Sequence, residues 1–190
     1  MSTLRTETFM DKYSKIIAEM EKEFPKFKLI EKKDSPLMKA VDIFLKVITI
    51  GKMKTFMTNF ITTVGYKVYT PPEWKEIDRI GVLRHERIHM RQMRHHGRIW
   101  FTLSYLFLWL PSGMAYFRKK YEQEAYEESM RYRAVTYGIR YIEDTAFREV
   151  TINHFTSAQY FWTWPFRKSI EKWYDSTVKI IRLEMGLPLT

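Results

Sequence analysis

Cysteine is absent from the 190 residues, which excludes a disulfide framework and any thiolate metal site. A metal ion bound to this chain has only His, Asp or Glu to hold it. The opening residues, Met1 to Lys15, lack the apolar core and small-residue cleavage site of a secretory signal. Together these absences predict an intracellular, cytoplasmic protein. No helix-turn-helix, zinc-finger or RNA-binding signature accompanies the net charge of +10. That surplus favours anionic surfaces in general, and solubility alone also explains it. No specific nucleic-acid partner is expected. Internal repeats and low-complexity stretches are missing too.

Histidine is scarce, with five in the chain, yet two of them fall in Arg84-His85-Glu86-Arg87-Ile88-His89. On a helix, positions i and i+4 share a face, so His85 and His89 can turn their imidazoles towards one ion. Glu86, one residue round, is placed to act as general base on a water without being a ligand. The competing reading is a pair of solvated helix histidines.

The flanking sequence predicts the following elements. Residues 3–24 read as a narrowly amphipathic helix stopped by Pro25, and the lysine-rich 26–34 as an exposed connection. Ser35-Pro36 resembles an N-cap with Pro at the first helical position, opening PLMKAVDIFLKVI, which Gly51 closes. The β-branched and aromatic run 56–69 reads as strand, with a hairpin bend at Gly65. A helix from about Glu73 to His96, stopped by Gly97, carries the motif. Its Arg84, Arg87, Arg91, Arg94 and Arg98 form a face nearly opposite the histidines. These arginines are expected to pair with the acidic segment 122–128, to stay solvated, or to bind a polyanion. Residues 114–137 form the next helix, ended by Gly138. Ser157 reads as an N-cap, Pro165 as a break, and 166–183 as a final basic helix. The chain is expected to be one domain: an N-terminal helical arm and linker (1–34), a metal-site core (35–138) and C-terminal helices (139–190).

Two histidines are not a complete site; three protein ligands and an open position are needed for zinc catalysis. One candidate third ligand is a glutamate on the helix after the connection. Glu124-Ala125 lies 35 residues beyond His89, with Glu128 one turn further on the same face. The plan from Thr63 to Met130 resembles the gluzincins, the thermolysin-like peptidases, in their compact bacterial and phage forms. The shared features are a rim strand, a His-Glu-x-x-His helix followed by Gln92, an apolar connection, then Glu122-x-Glu124-Ala125-Tyr126. That resemblance implies Glu124 as third ligand, with Glu128 accepting an imidazole N–H behind the ligands. Glu122 is the alternative on the same segment. The other candidate is His95, because His85-Glu86-x-x-His89-x-x-Gln92-x-x-His95 is similar to the metzincin signature. Gln92 replaces the glycine at which that helix would break, and an unbroken helix carries His95 about 280° away from His85. The acidic run also reads simply as a solvated helix face.

Residues 99–117 contain no charge, and 19 such residues approach a membrane span. Pro111-Ser112-Gly113 divides them, and a span would part His89 from Glu124 by ~29 Å at 1.5 Å per residue. The expectation is therefore a buried helical hairpin with no span: a helix to Leu110 and a return helix from Met114, packed on the motif helix and on segment 160–166.

The implied fold is α+β and mostly helical, a minimal zincin-like lobe with a short sheet or hairpin before the motif helix and several helices after it. The implied activity is that of a zinc metallopeptidase or small amidase acting on a peptide or protein. Zn²⁺ would be held by His85, His89 and Glu124, with Glu86 as general base. Tyr137, Tyr160 and His154 are candidate oxyanion donors. Two other classes stay open: a non-enzymatic zinc-containing component of a phage or secretion-like assembly, and a basic nucleic-acid-binding domain in which the motif is accidental.

Overall fold

A computed structural model of the chain describes residues 8–48, 55–74, 76–106, 115–157 and 164–188. Among these the protein is mostly helical with one small sheet, as the sequence predicts. By internal contacts the chain divides into two compact units, Met1–Met90 and Arg91–Thr190.

In the first unit, α1 (Phe9–Glu23) starts at Thr8, whose hydroxyl accepts from the Asp11 amide while Asp11 accepts from the Thr8 amide. This reciprocal cap satisfies two helix-end donors and sets the start of the helix inside the expected 3–24. The lysine-rich segment is not a plain exposed connection. Lys28–Glu31 form β1, and Lys32–Asp34 a 3-10 turn in which Lys32 is fully buried. Helix α2 (Pro36–Ile48) has the predicted sequence, and the Ser35 hydroxyl caps it by accepting from the Met38 amide at 3.3 Å. Gly51 lies outside the described residues.

The run 56–69 begins as a single helical turn, α3 (Phe56–Asn59), not as strand. The hairpin follows: β2 (Thr62–Val64), a turn through Gly65 at φ 64°, and β3 (Lys67–Thr70). The positive φ is the reason for glycine at that bend. β3 is central, antiparallel to β2 and parallel to β1, with Lys28 opposite Lys67 and Thr62 opposite Tyr69. Met38, Phe56 and Tyr69 form the core between this sheet and α2.

Lys32 closes that core from one side. Its ammonium donates to the Phe56 carbonyl at 2.7 Å and sits over the Phe56 ring. Burial pushes its pKa down to about 7, against a smaller upward pull from Asp42. A lysine lowered from an unfolded value of ~10.4 destabilises the fold most where it is charged in both states, below about pH 7. The penalty fades as pH rises from there towards the unfolded value. Urea midpoints of the unsubstituted chain and Lys32→Met are therefore expected to diverge with pH. Stability of the unsubstituted chain should gain on the variant by on the order of 1–2 kcal/mol between pH 7 and 9. Parallel curves would refute this account of Lys32.

Helix α4 (Glu76–His96) carries the motif and ends at Gly97, φ 83°. The contact division falls within this helix. In the second unit α5 (Arg98–Leu106), α6 (Ala115–Tyr137), α7 (Ile139–Glu143), α8 (Thr145–Thr156) and α9 (Arg167–Glu184) follow. Gly138, at φ 89°, ends α6 as predicted. Met130, Ala134, Ile142, Tyr174 and Ile181 form a hydrophobic core between α6, α7 and α9, each worth roughly 1.5–3 kcal/mol where a large side chain is fully buried. The Tyr174 hydroxyl donates to the Ile142 carbonyl, so its one polar atom is satisfied. A second cluster, Ile152, Phe155 and Ile170, joins α8 to α9. Ser157 is the C-cap of α8, and residues 158–163, where the sequence places the helix it would open, lie outside the described residues.

No helix among the described residues is long and apolar enough to cross a membrane. The expected hairpin over 99–117 is helical at both described ends, while 107–114 lie outside the described residues. Its burial is partial. Ser104 is fully buried and Tyr116 meets Trp164 of the expected segment at 6.5 Å between ring centroids, whereas Ile99, Trp100, Leu103, Tyr116 and Phe117 are exposed. Residues 160–163 lie outside the described residues.

Candidate metal centre

The motif lies in an unbroken helix, so the sequence spacing converts directly into geometry. His85 and His89, one turn apart on α4, bring their Nε2 atoms to 3.0 Å, with rings edge to face. Two nitrogens at that separation suit a single ion at ~2.0–2.1 Å from each. His89 is buried and His85 half-buried.

Glu86 is held by the sheet. It is 8% exposed, and its carboxylate accepts a 2.6 Å hydrogen bond from the Thr63 hydroxyl on β2. Such a bond to a charged acceptor is worth about 1.5–3 kcal/mol and fixes the side-chain direction. The sequence pointed to Glu86 but not to its partner; the only available signal was the rim strand's position ahead of the motif helix.

Among the described residues, one group of metal-ligating side chains gathers ligand atoms closely enough to hold an ion: His85, His89 and Glu122, all within 4.8 Å of one another. Glu122, not Glu124, is the carboxylate in it. The reason lies in helix phase, since two residues correspond to about 200° on α6. Glu124 is exposed and accepts from Gln92 Nε2 at 2.7 Å, while the same amide nitrogen also donates to the Tyr121 carbonyl at 3.1 Å. Gln92 is buried, so this pairing satisfies a polar group that would otherwise be costly. Glu128 is half-buried on α6, about 40° from Glu124 in phase and about 240° from Glu122.

The other candidates are placed as follows. His95 is exposed and stands edge-on to His96 at the end of α4, outside the metal-ligating group. Tyr137 is 41% exposed and stacks near Tyr141. His154 is bonded through Nδ1 to the Tyr126 hydroxyl at 2.6 Å. Tyr160 lies outside the described residues. The arginine face has a partner the sequence did not suggest. Arg87 pairs with Glu19 at 2.7 Å and Glu23 at 2.6 Å, two carboxylates one turn apart on α1. Arg91, Arg94 and Arg98 are exposed.

The donor set of two imidazoles and one carboxylate suits Zn²⁺, which accepts nitrogen and oxygen in a four-coordinate shell with one position left open. No protein-family model, curated protein or solved structure matches the chain.

Proposed function

We propose that the protein is a zinc-dependent hydrolase of peptide or amide bonds, with His85, His89 and Glu122 as ligands and Glu86 as the proton carrier. The observation that carries this reading is the convergence of the two Nε2 atoms to 3.0 Å, with a buried carboxylate beside them on the same helix. His85, His89 and Glu122 would hold the ion, and a zinc ion held there would supply Lewis-acid chemistry for a carbonyl and a water. Glu86 takes the proton of the attacking water on a carboxylate oxygen and passes it to the leaving amine. Thr63 keeps the Glu86 carboxylate in one rotamer through both transfers, because its hydroxyl donates to that group from the sheet.

Gln92 extends the assignment outwards. By engaging Glu124 and the Tyr121 carbonyl it fixes the turn of α6 on which Glu122 stands. The same ligand set without hydrolysis would make the site structural, and the Glu86 substitution below separates the two cases. The first test is stoichiometry. Intact-mass spectrometry under native conditions, after reconstitution with Zn²⁺ and removal of excess, is expected to show one zinc per chain. A chain that stays metal-free rejects the proposal.

A further inference from the structure

Helix α5 turns one face inward and leaves another bare. Phe101 rests against Tyr121, with 5.0 Å between ring centroids, and Ser104 is fully buried. Ile99, Trp100 and Leu103 occupy the outer side at 77%, 50% and 43% exposure. The first turn of α6 continues that surface. Phe117 meets Trp100 edge-on at 6.1 Å and Tyr116 at 5.9 Å, and both α6 rings are exposed. Five large apolar side chains on two adjoining helices make a contiguous patch, unlike the singly scattered apolar residues of an ordinary surface.

Along the chain the charge flanking the patch is of one sign. From Arg91 to Tyr121 the chain has no Asp or Glu, while it has Arg91, Arg94, Arg98, Arg118, Lys119 and Lys120. Arg98 begins α5 immediately before Ile99, and Arg94 is exposed one turn earlier. Lys120 is exposed on α6 with its ammonium 5.8 Å from the Tyr116 ring. Lys119 lies over the same ring at 4.7 Å. A basic rim around Trp, Tyr and aliphatic side chains is the composition of a lipid-facing surface. Amphipathic rings settle at headgroup depth, and Lys and Arg meet lipid phosphates. No helix among the described residues is both long and apolar enough to cross a membrane. A second copy of the chain fits poorly, because pairing this face with itself opposes two basic rims.

We propose that Ile99, Trp100, Leu103, Tyr116 and Phe117 form a docking face for an anionic lipid surface, with Arg94, Arg98 and Lys120 at the headgroup phosphates. The inference does not depend on the metal centre. It is tested by co-sedimentation of the full chain with vesicles of phosphatidylcholine alone and with about one-third phosphatidylglycerol. Binding is expected to the anionic vesicles, to weaken on adding salt, and to be absent from the neutral ones. Each of Arg98→Glu and Lys120→Glu should weaken binding at least about fivefold. Ile99→Ser with Trp100→Ser should abolish it at unchanged salt. The charge reversals lie at exposed positions, and circular dichroism would show whether either set of variants remains folded. No binding to anionic vesicles overturns the proposal, as does binding that neither set of substitutions alters. A concentration-dependent dimer that Trp100→Ser dissolves, without vesicle binding, assigns the face to a second copy and overturns it equally. So does capture by a protein partner in the absence of any lipid affinity.

Discussion

Glu86→Gln is expected to bind zinc as the unsubstituted chain does and to hydrolyse a labelled protein substrate such as casein about two to four orders of magnitude more slowly. The substitution is nearly isosteric. The amide oxygen of Gln can still accept from the Thr63 hydroxyl, which donates to Glu86 at 2.6 Å, so neither packing nor side-chain direction needs to change. What disappears is the capacity to take and return a proton. In the proposed reaction both transfers rest on that one group, so their loss is expected to appear together in kcat, with KM little altered. Loss of zinc would show that Glu86 is a ligand. An unchanged rate with zinc retained would remove it from the chemistry, and an inactive unsubstituted chain that still holds zinc would leave a structural site.

The second large effect separates two glutamates two residues apart. Glu122→Ala is expected to weaken zinc binding more than about 100-fold, beyond the 10–100-fold typical of a group that only orients a ligand. Glu124→Ala should cost no more than about tenfold, since its carboxylate is exposed and engaged by Gln92. Competition against a chromophoric chelator measures both. The reverse ranking would restore Glu124 as the ligand and assign Glu122 to the acidic surface of α6.

The difficulty of that choice from sequence is physical. Glu122, Glu124, Glu127 and Glu128 place carboxylates round most of one helix, so residue type alone selects none of them. The gluzincin pattern pointed to Glu124, whereas helix phase and a buried amide at Gln92 point to Glu122. Local chemistry was more legible. Ser35-Pro36, Gly65, Gly97 and Gly138 each mark a cap, a bend or a stop that needs no distant partner, and each is found at its predicted position. β1 was invisible because Lys28-Leu-Ile-Glu31 has no strand signal of its own. It becomes a strand through pairing with β3. Lys32, a lysine in a lysine-rich stretch, gave no hint of burial. The bare side of α5 was misjudged because an uncharged run was equated with an interior, and apolar composition does not say what covers it.

The parallel pairing of β1 with β3 also constrains the order in which the first unit can assemble. Thr62–Val64 and Lys67–Thr70 are joined by a tight turn, and a hairpin of that kind closes in ~1–10 μs. Lys28 meets Lys67 across 39 intervening steps of chain (67 − 28), which include the whole of α2. Closing that longer loop loses more chain entropy before any ladder bond compensates it. The hairpin is therefore the template and β1 the late arrival. A nascent chain cannot finish this sheet until Thr70 has been synthesised, and until then β1 waits without its partner strand.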